Sequence, residues 1–161
     1  MSIILIYNKE EDYLLIPNEA IRVRVIANSD LESDLKVKEI VKDDLNKKVY
    51  SLLKGVNSID DARTILNNNL DIINRTVDKS IERLNYNKEF NINYGLNFFP
   101  EKMFNGIKYD SGYYESVVVT LGEGKGSNYW CVIYPPLCLI ESEKENIEYK
   151  SYIKELLNKY L

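Results

Sequence analysis

The chain has 161 residues, of which 45% are hydrophobic and 29% charged, and its 21 Lys+Arg against 25 Asp+Glu give a formal net charge of -4. That length and balance suit one soluble globular domain able to bury its own core, and the lack of a basic excess argues against a nucleic-acid partner. The sequence contains no histidine, which excludes Ser-His and Cys-His nucleophile pairs, His-ligated zinc and the usual pH switch.

Residues 1–20 read as an N-terminal tail. Its one apolar run, Ile3 to Ile6, has no basic residues before it and no small-residue cleavage site after it, so it is not a complete signal peptide. No stretch approaches the roughly 18 apolar residues that span a bilayer. Two readings stay open: an ordinary tail, or the remnant of a signal or membrane segment with Met1-Ser2 as an artificial start.

"IRVRVIA", Ile21 to Ala27, alternates. Ile21, Val23, Val25 and Ala27 share one face while Arg22 and Arg24 point the other way, as in a half-buried strand. A polar "NSDLESD" follows, and Ser33 or Asp34 is placed to start a helix. Leu35, Ile40, Val41, Leu45, Val49 and Leu52 recur at helical spacing, and Gly55 stands where a C-terminal glycine belongs. Ser58 with Asp61 opens a second helix as a variant capping box. Its buried stripe runs from Ile59 to Leu84, with a bend expected at the poor helix formers Asn67 to Asn69. The two helices read as an antiparallel hairpin.

"FNINYGLNF" is a strand in which Phe90, Ile92, Tyr94, Leu96 and Phe98 alternate with small polar residues, ended by Pro100. Asn105-Gly106 and Asp110 to Gly112 are turn signals. "YESVVVTLG" is a strand with Val117, Val119 and Leu121 on one face. "NYWCVIY" is apolar on both faces, which predicts a central position in the sheet. Residues 141–161 read as an amphipathic C-terminal helix. The fold class is α+β: a helical hairpin on a mainly antiparallel sheet, in the order β-α-α-β-β-β.

"GEGKGSNYWCVIYPPLC", Gly122 to Cys138, concentrates glycine, the only tryptophan, both cysteines and a Pro-Pro pair. It is not a P-loop, since Gly124-Lys125 is followed by Gly126. It is not a dinucleotide fingerprint, since position 127 is Ser. Two cysteines without histidine or a second pair cannot complete a structural zinc site. The glycines are expected to form a hairpin loop between two strands. For Cys131 and Cys138 three states stay open: two buried thiols, a disulfide, or one reactive thiol. Asp30, Glu32 and Asp34 cluster before the first helix, where acids complement the helix dipole. As a catalytic set they would need a raised pKa and a partner acid.

"VIANSD" (Val25 to Asp30), Tyr94-Gly95 and the "SGYYESVVVTLGEGKGSNYWCVIYPPLC" block (Ser111 to Cys138) together resemble the stage II sporulation protein R family of endospore-forming bacteria. An ANSD-like segment ends the first strand of that family, and a GEGxGxNWWCVxxPPLC-like block ends its domain. The resemblance covers roughly residues 21 to 140, with Tyr129 where the family often has tryptophan. The C-terminal helix is not part of the pattern, and the family's N-terminal membrane or signal segment is missing or reduced to Ile3 to Ile6.

The resemblance implies a secreted signalling protein, not an enzyme, with no cofactor. Such proteins are exported from the forespore into the space between forespore and mother cell. They activate a membrane-embedded aspartic protease that processes the mother-cell sigma-E precursor. An extracytoplasmic setting favours a disulfide between Cys131 and Cys138. The residues expected to meet the protease are Asn28, Ser29, Asp30, Gly122, Glu123, Gly124, Asn128, Tyr129, Trp130, Pro135 and Pro136. The alternative is an extracytoplasmic structural or binding module without that role. The sequence leaves the oligomeric state open.

Overall fold

Ile21–Ile26 folds as strand β2, preceded by a two-residue strand β1, Leu14–Leu15. The computed structural model describes these residues within the ranges 14–15, 19–104 and 106–137, together with the single positions Glu155, Asn158 and Lys159. Apart from those three positions, the expected C-terminal helix lies outside the described residues, as do Cys138 and all of the 1–20 tail except β1, Glu19 and Ala20.

Helix α1, Glu32–Leu53, begins with Leu31 in the capping position and not with Ser33 or Asp34. Leu31 has no side-chain acceptor to offer, so Ser29 Oγ does that work locally and accepts from the Leu31 amide at 3.1 Å. Gly55 follows with φ +78°, the left-handed conformation that glycine adopts without steric cost. Ser58 caps α2, Ile59–Asn68, by accepting from the Asp61 amide at 3.1 Å. The one long second helix expected from the periodicity is two helices. At Asn69 the backbone leaves helical geometry, and its side-chain amide donates to the Ile65 carbonyl at 2.7 Å. This is the local competition that makes asparagine poor in a helix interior. α3, Leu70–Arg83, then runs antiparallel to α1, since Asp44 of α1 meets Ser80 and Arg83 of α3.

The remaining strands are β3 (Phe90–Phe99), β4 (Lys102–Phe104), β5 (Ile107–Tyr109), β6 (Gly112–Leu121) and β7 (Asn128–Tyr134). They form a four-stranded sheet in the order β3-β6-β2-β7 and a small sheet in the order β1-β5-β4. The main sheet is mixed: β2 runs parallel to β6, and the β3–β6 and β2–β7 pairs are antiparallel. Two of its three pairings are antiparallel, in keeping with the expected mainly antiparallel sheet, while the expected order β-α-α-β-β-β lacked the third helix and the three short strands.

Val23, Val25, Val117, Val119 and Leu121 face the helices, where they pack with Val41, Leu45, Leu66, Ile73 and Val77. Burying a side chain of this kind stabilises by roughly 1.5–3 kcal/mol before entropy is subtracted. The other sheet face was expected to present Arg22 to solvent. Instead Arg22 is 0% exposed. Its guanidinium lies over the rings of Phe99, Tyr109, Tyr114 and Trp130, at 3.6 Å from the Tyr114 centroid. Tyr109 belongs to the small sheet, so that sheet forms a third layer over Arg22. The same layering explains a second correction. β7 is an edge strand, not a central one, and is apolar on both faces because Tyr129 and Ile133 join the helical core while Trp130 joins the aromatic box. Among the described residues no helix is long and apolar enough to cross a membrane.

Candidate functional site

The strand order decides what the glycine-rich loop does. β6 and β7 are not neighbours, because β2 lies between them. The loop between β6 and β7 is therefore not a hairpin, as the spacing suggested, but a bridge across the end of β2. The chain leaving β2 is Ala27 to Asp30, so the two segments meet at one end of the sheet.

They are joined by hydrogen bonds along the whole crossing. The Lys125 amide donates to the Asn28 carbonyl at 3.0 Å, the Gly126 amide to the Ala27 carbonyl at 2.9 Å, and the Ala27 amide to the Ser127 carbonyl at 3.1 Å. Side chains repeat the pattern. The Glu123 amide donates to Asn28 Oδ1 at 2.9 Å, and the Ser127 amide to Asp30 Oδ1 at 2.7 Å. The glycines allow this closeness. A Cβ on Gly122 would lie 2.2 Å from Asn28 Oδ1, and one on Gly126 would lie 2.3 Å from the Ser29 carbonyl oxygen.

Beneath this lock sits Asp34, in the first turn of α1 and buried. It accepts from Ser29 Oγ at 2.5 Å, from Asn28 Nδ2 at 2.8 Å and from the Tyr86 hydroxyl at 2.7 Å. The hydrogen bonds from Ser29, Asn28 and Tyr86 hold its carboxyl below the usual aspartate range, while burial and the bond to Asp34 push the Tyr86 hydroxyl up. A carboxylate kept ionised in this way is the opposite of what a general acid requires. Asp34 is the hub that joins β2, α1 and the turn after α3. Sequence reasoning noticed it as a helix start, a dipole acid and a candidate catalytic acid but not as this hub, because its partner Tyr86 is 52 residues away.

The outer surface of the lock is polar and open. Asp30, Glu123, Lys125, Ser127 and Asn128 are exposed. Lys125 Nζ pairs with Glu123 Oε2 at 2.9 Å, and Arg24 Nε donates to Asn128 Oδ1 at 3.0 Å. Of the residues expected to act together, Asn28, Ser29, Asp30, Gly122, Glu123, Gly124 and Asn128 do come together here. Tyr129 is next to them but turned to the helices, where its hydroxyl accepts from Asn46 Nδ2 at 3.2 Å. Trp130 is 7% exposed and packs in the Arg22 box. Pro135 and Pro136 lie past the far end of β7, about 20 Å from the loop by strand rise, and Pro135 is buried. The structure therefore separates the Pro-Pro turn from the loop with which it was grouped. Cys131 is not a free thiol, and Cys138 lies outside the described residues.

Comparison with known proteins gives the chain a family. The family model described as stage II sporulation protein R matches residues 17–144. The Bacillus subtilis (strain 168) protein named stage II sporulation protein R is 34% identical over 132 residues, which cover 82% of this chain and 59% of that protein. The match thus spans less than two thirds of the relative's length. No solved structure matches.

Proposed function

The chain belongs to the stage II sporulation protein R family, and we propose that it is the extracytoplasmic signal by which the forespore switches on a mother-cell protease. It acts in the space between the two membranes. There it engages a membrane-embedded aspartic protease, which then processes the sigma-E precursor. It works as a ligand and not as an enzyme, requires no cofactor, and carries a disulfide between Cys131 and Cys138. The surface that meets the protease is the lock between the Asn28–Asp30 segment and the 122–128 loop.

The supporting observation is the convergence of the two segments that carried the family resemblance. About 95 residues apart in sequence, they share a continuous hydrogen-bond seam with an exposed polar exterior. A fold could cap β2 with fewer bonds, and loops held rigidly on a scaffold are where recognition concentrates. A second reading, a binding module without protease activation, draws on one feature. Leu96 and Tyr113 are each 73% exposed, and with Phe98 they leave an open apolar row beyond the margin of the helices.

Co-expression of an exported form of this chain with the protease and the precursor in a non-sporulating bacterium tests the first reading, with precursor size read on a blot. Cleavage that depends on this chain is the expected result. The Glu123→Ala/Lys125→Ala pair removes only an exposed ion pair, so its loss of activation with the fold intact would locate the contact at the lock. An intact precursor with all three proteins present and correctly located would overturn the proposal in favour of the binding module.

A further inference from the structure

A cleft of about 570 Å³ opens between α1 and α3, on the outer side of the helical layer. Lys47 and Lys48 of α1 face Arg75, Lys79 and Arg83 of α3 across it. Five cations gathered in one cleft are a marked local concentration in a chain of net charge -4. The carboxylate that lines the cleft, Asp44, is already engaged. It accepts from Ser80 Oγ at 2.6 Å and from Arg83 Nη2 at 2.7 Å. Burial works against its ionisation, yet these two partners hold its carboxyl below the usual range. Arg75 is paired with Asp71 at 2.9 Å. Lys47, Lys48 and Lys79 have no carboxylate within ion-pair distance among the described residues. All three line the cleft, whose own acid is already engaged by Ser80 and Arg83 and lies within the field of Lys47.

We propose that this cleft is a phosphate-binding site that takes a ligand bearing two or more phosphate groups. The lining selects the chemistry. Ile72 is its one apolar residue, so a peptide would find no pocket for its side chains, whereas anchoring peptides normally requires one. No aromatic residue lines it, so a nucleic-acid base has nothing to stack on. The unpaired groups are lysines, compact point charges that suit clustered phosphate oxygens without demanding the forked geometry of arginine. Two sources carry that chemistry, a soluble polyphosphorylated compound and the headgroups of an anionic membrane.

The site is separate from the lock. Lys47 lies 13 residues beyond Asp34 on the same helix, about 20 Å along its axis at 1.5 Å per residue. A ligand here leaves the Asn28–Asp30 and 122–128 surface free, so the inference stands whether or not that surface meets a protease.

Calorimetric titration with tripolyphosphate, at low and at physiological salt, tests the site on the intact chain. Vesicles with three parts phosphatidylglycerol in ten are compared with pure phosphatidylcholine, and a poly-glutamate peptide serves as the carboxylate control. The triple variant Lys47→Gln/Lys48→Gln/Lys79→Gln is compared with Lys36→Gln/Lys54→Gln/Lys88→Gln, which removes the same charge elsewhere. Tripolyphosphate binding that weakens with salt, falls about fivefold per cleft lysine and survives in the control variant is the expected result. Vesicle binding that depends on phosphatidylglycerol and on the same lysines would assign the headgroup as source, and tripolyphosphate binding without it a soluble ligand. No binding to either, equal binding by the cleft and control variants, or equal affinity for poly-glutamate would overturn the proposal. Circular dichroism of each variant separates loss of the site from loss of the fold.

Discussion

Asn28 Oδ1 accepts a hydrogen bond from the backbone amide of Glu123 at 2.9 Å, across 95 residues of sequence. The same side chain donates to Asp34 at 2.8 Å. One amide thus joins the loop above it to the helix below it, and the glycine before Glu123 leaves the space that makes the contact fit.

Substitutions at the two crowded glycines should separate by what each new methyl meets. At Gly122 the obstacle is the Asn28 side chain, on a backbone already at φ +56°. At Gly126 it is the Ser29 carbonyl, which cannot rotate away. Both Gly122→Ala and Gly126→Ala should cost about 1–3 kcal/mol. Adding Asn28→Ala should recover part of the Gly122→Ala loss and none of the Gly126→Ala loss, as measured by a double-mutant cycle in urea. Additive losses in both cycles would mean that Asn28 is not the obstacle.

The acid limb of stability should report on Asp34. Its folded pKa is depressed by Ser29, Asn28 and Tyr86, so its contribution is present above the unfolded aspartate value near 3.9. That contribution is lost as pH falls through the lower folded value. Asp44, also depressed, acts in the same direction. Urea midpoints measured from pH 6 to pH 3 should therefore drop below about pH 4. Asp34→Asn should be less stable at pH 6 and show a shallower fall. An unchanged slope would remove Asp34 from the account.

Arg22 should tolerate loss of its charge better than loss of its volume. None of its three guanidinium nitrogens has a hydrogen-bond partner among the described residues, and burial pushes its pKa down. The aromatic faces offset that desolvation by about 2 kcal/mol. Arg22→Met, which keeps the stem in the box, should lie within about 1.5 kcal/mol of the parent. Arg22→Ala should cost about 3 kcal/mol through the cavity it leaves. Thermal melts of the two variants check the order, and an Arg22→Met loss as large as the Arg22→Ala loss would mean that the cation itself holds the small sheet in place.

The proposed Cys131–Cys138 bridge would close a loop of about eight residues and contribute roughly 2.5 kcal/mol on the chain-entropy account. Exported, unreduced protein should take up no alkylating reagent until denatured and reduced, and reduction should lower its stability by about that amount. Labelling of both cysteines in the unreduced protein would exclude the bridge.

Much of the local structure was legible because it depends on short-range chemistry. The alternation of β2, β3 and β6, the Ser58 cap and the Gly55 stop are each written in fewer than a dozen residues. The motif residues could also be found, since their composition is unusual. Illegible were the relations that depend on strand order. Alternation identifies a strand but not its neighbour, so β7 read as central and the loop read as a hairpin. Arg22 read as solvent-facing because the covering layer comes from strands of two or three residues, too short to leave a periodic signal.

The sequence by itself determined the α+β class, most element positions and the family, because these rest on local patterns and on an uncommon motif block. Only the tertiary structure decided that β2 inserts between β6 and β7, for that depends on which buried faces match across distant segments. From that insertion follows the seam between Asn28–Asp30 and the glycine loop, and with it a surface on which both motif segments meet.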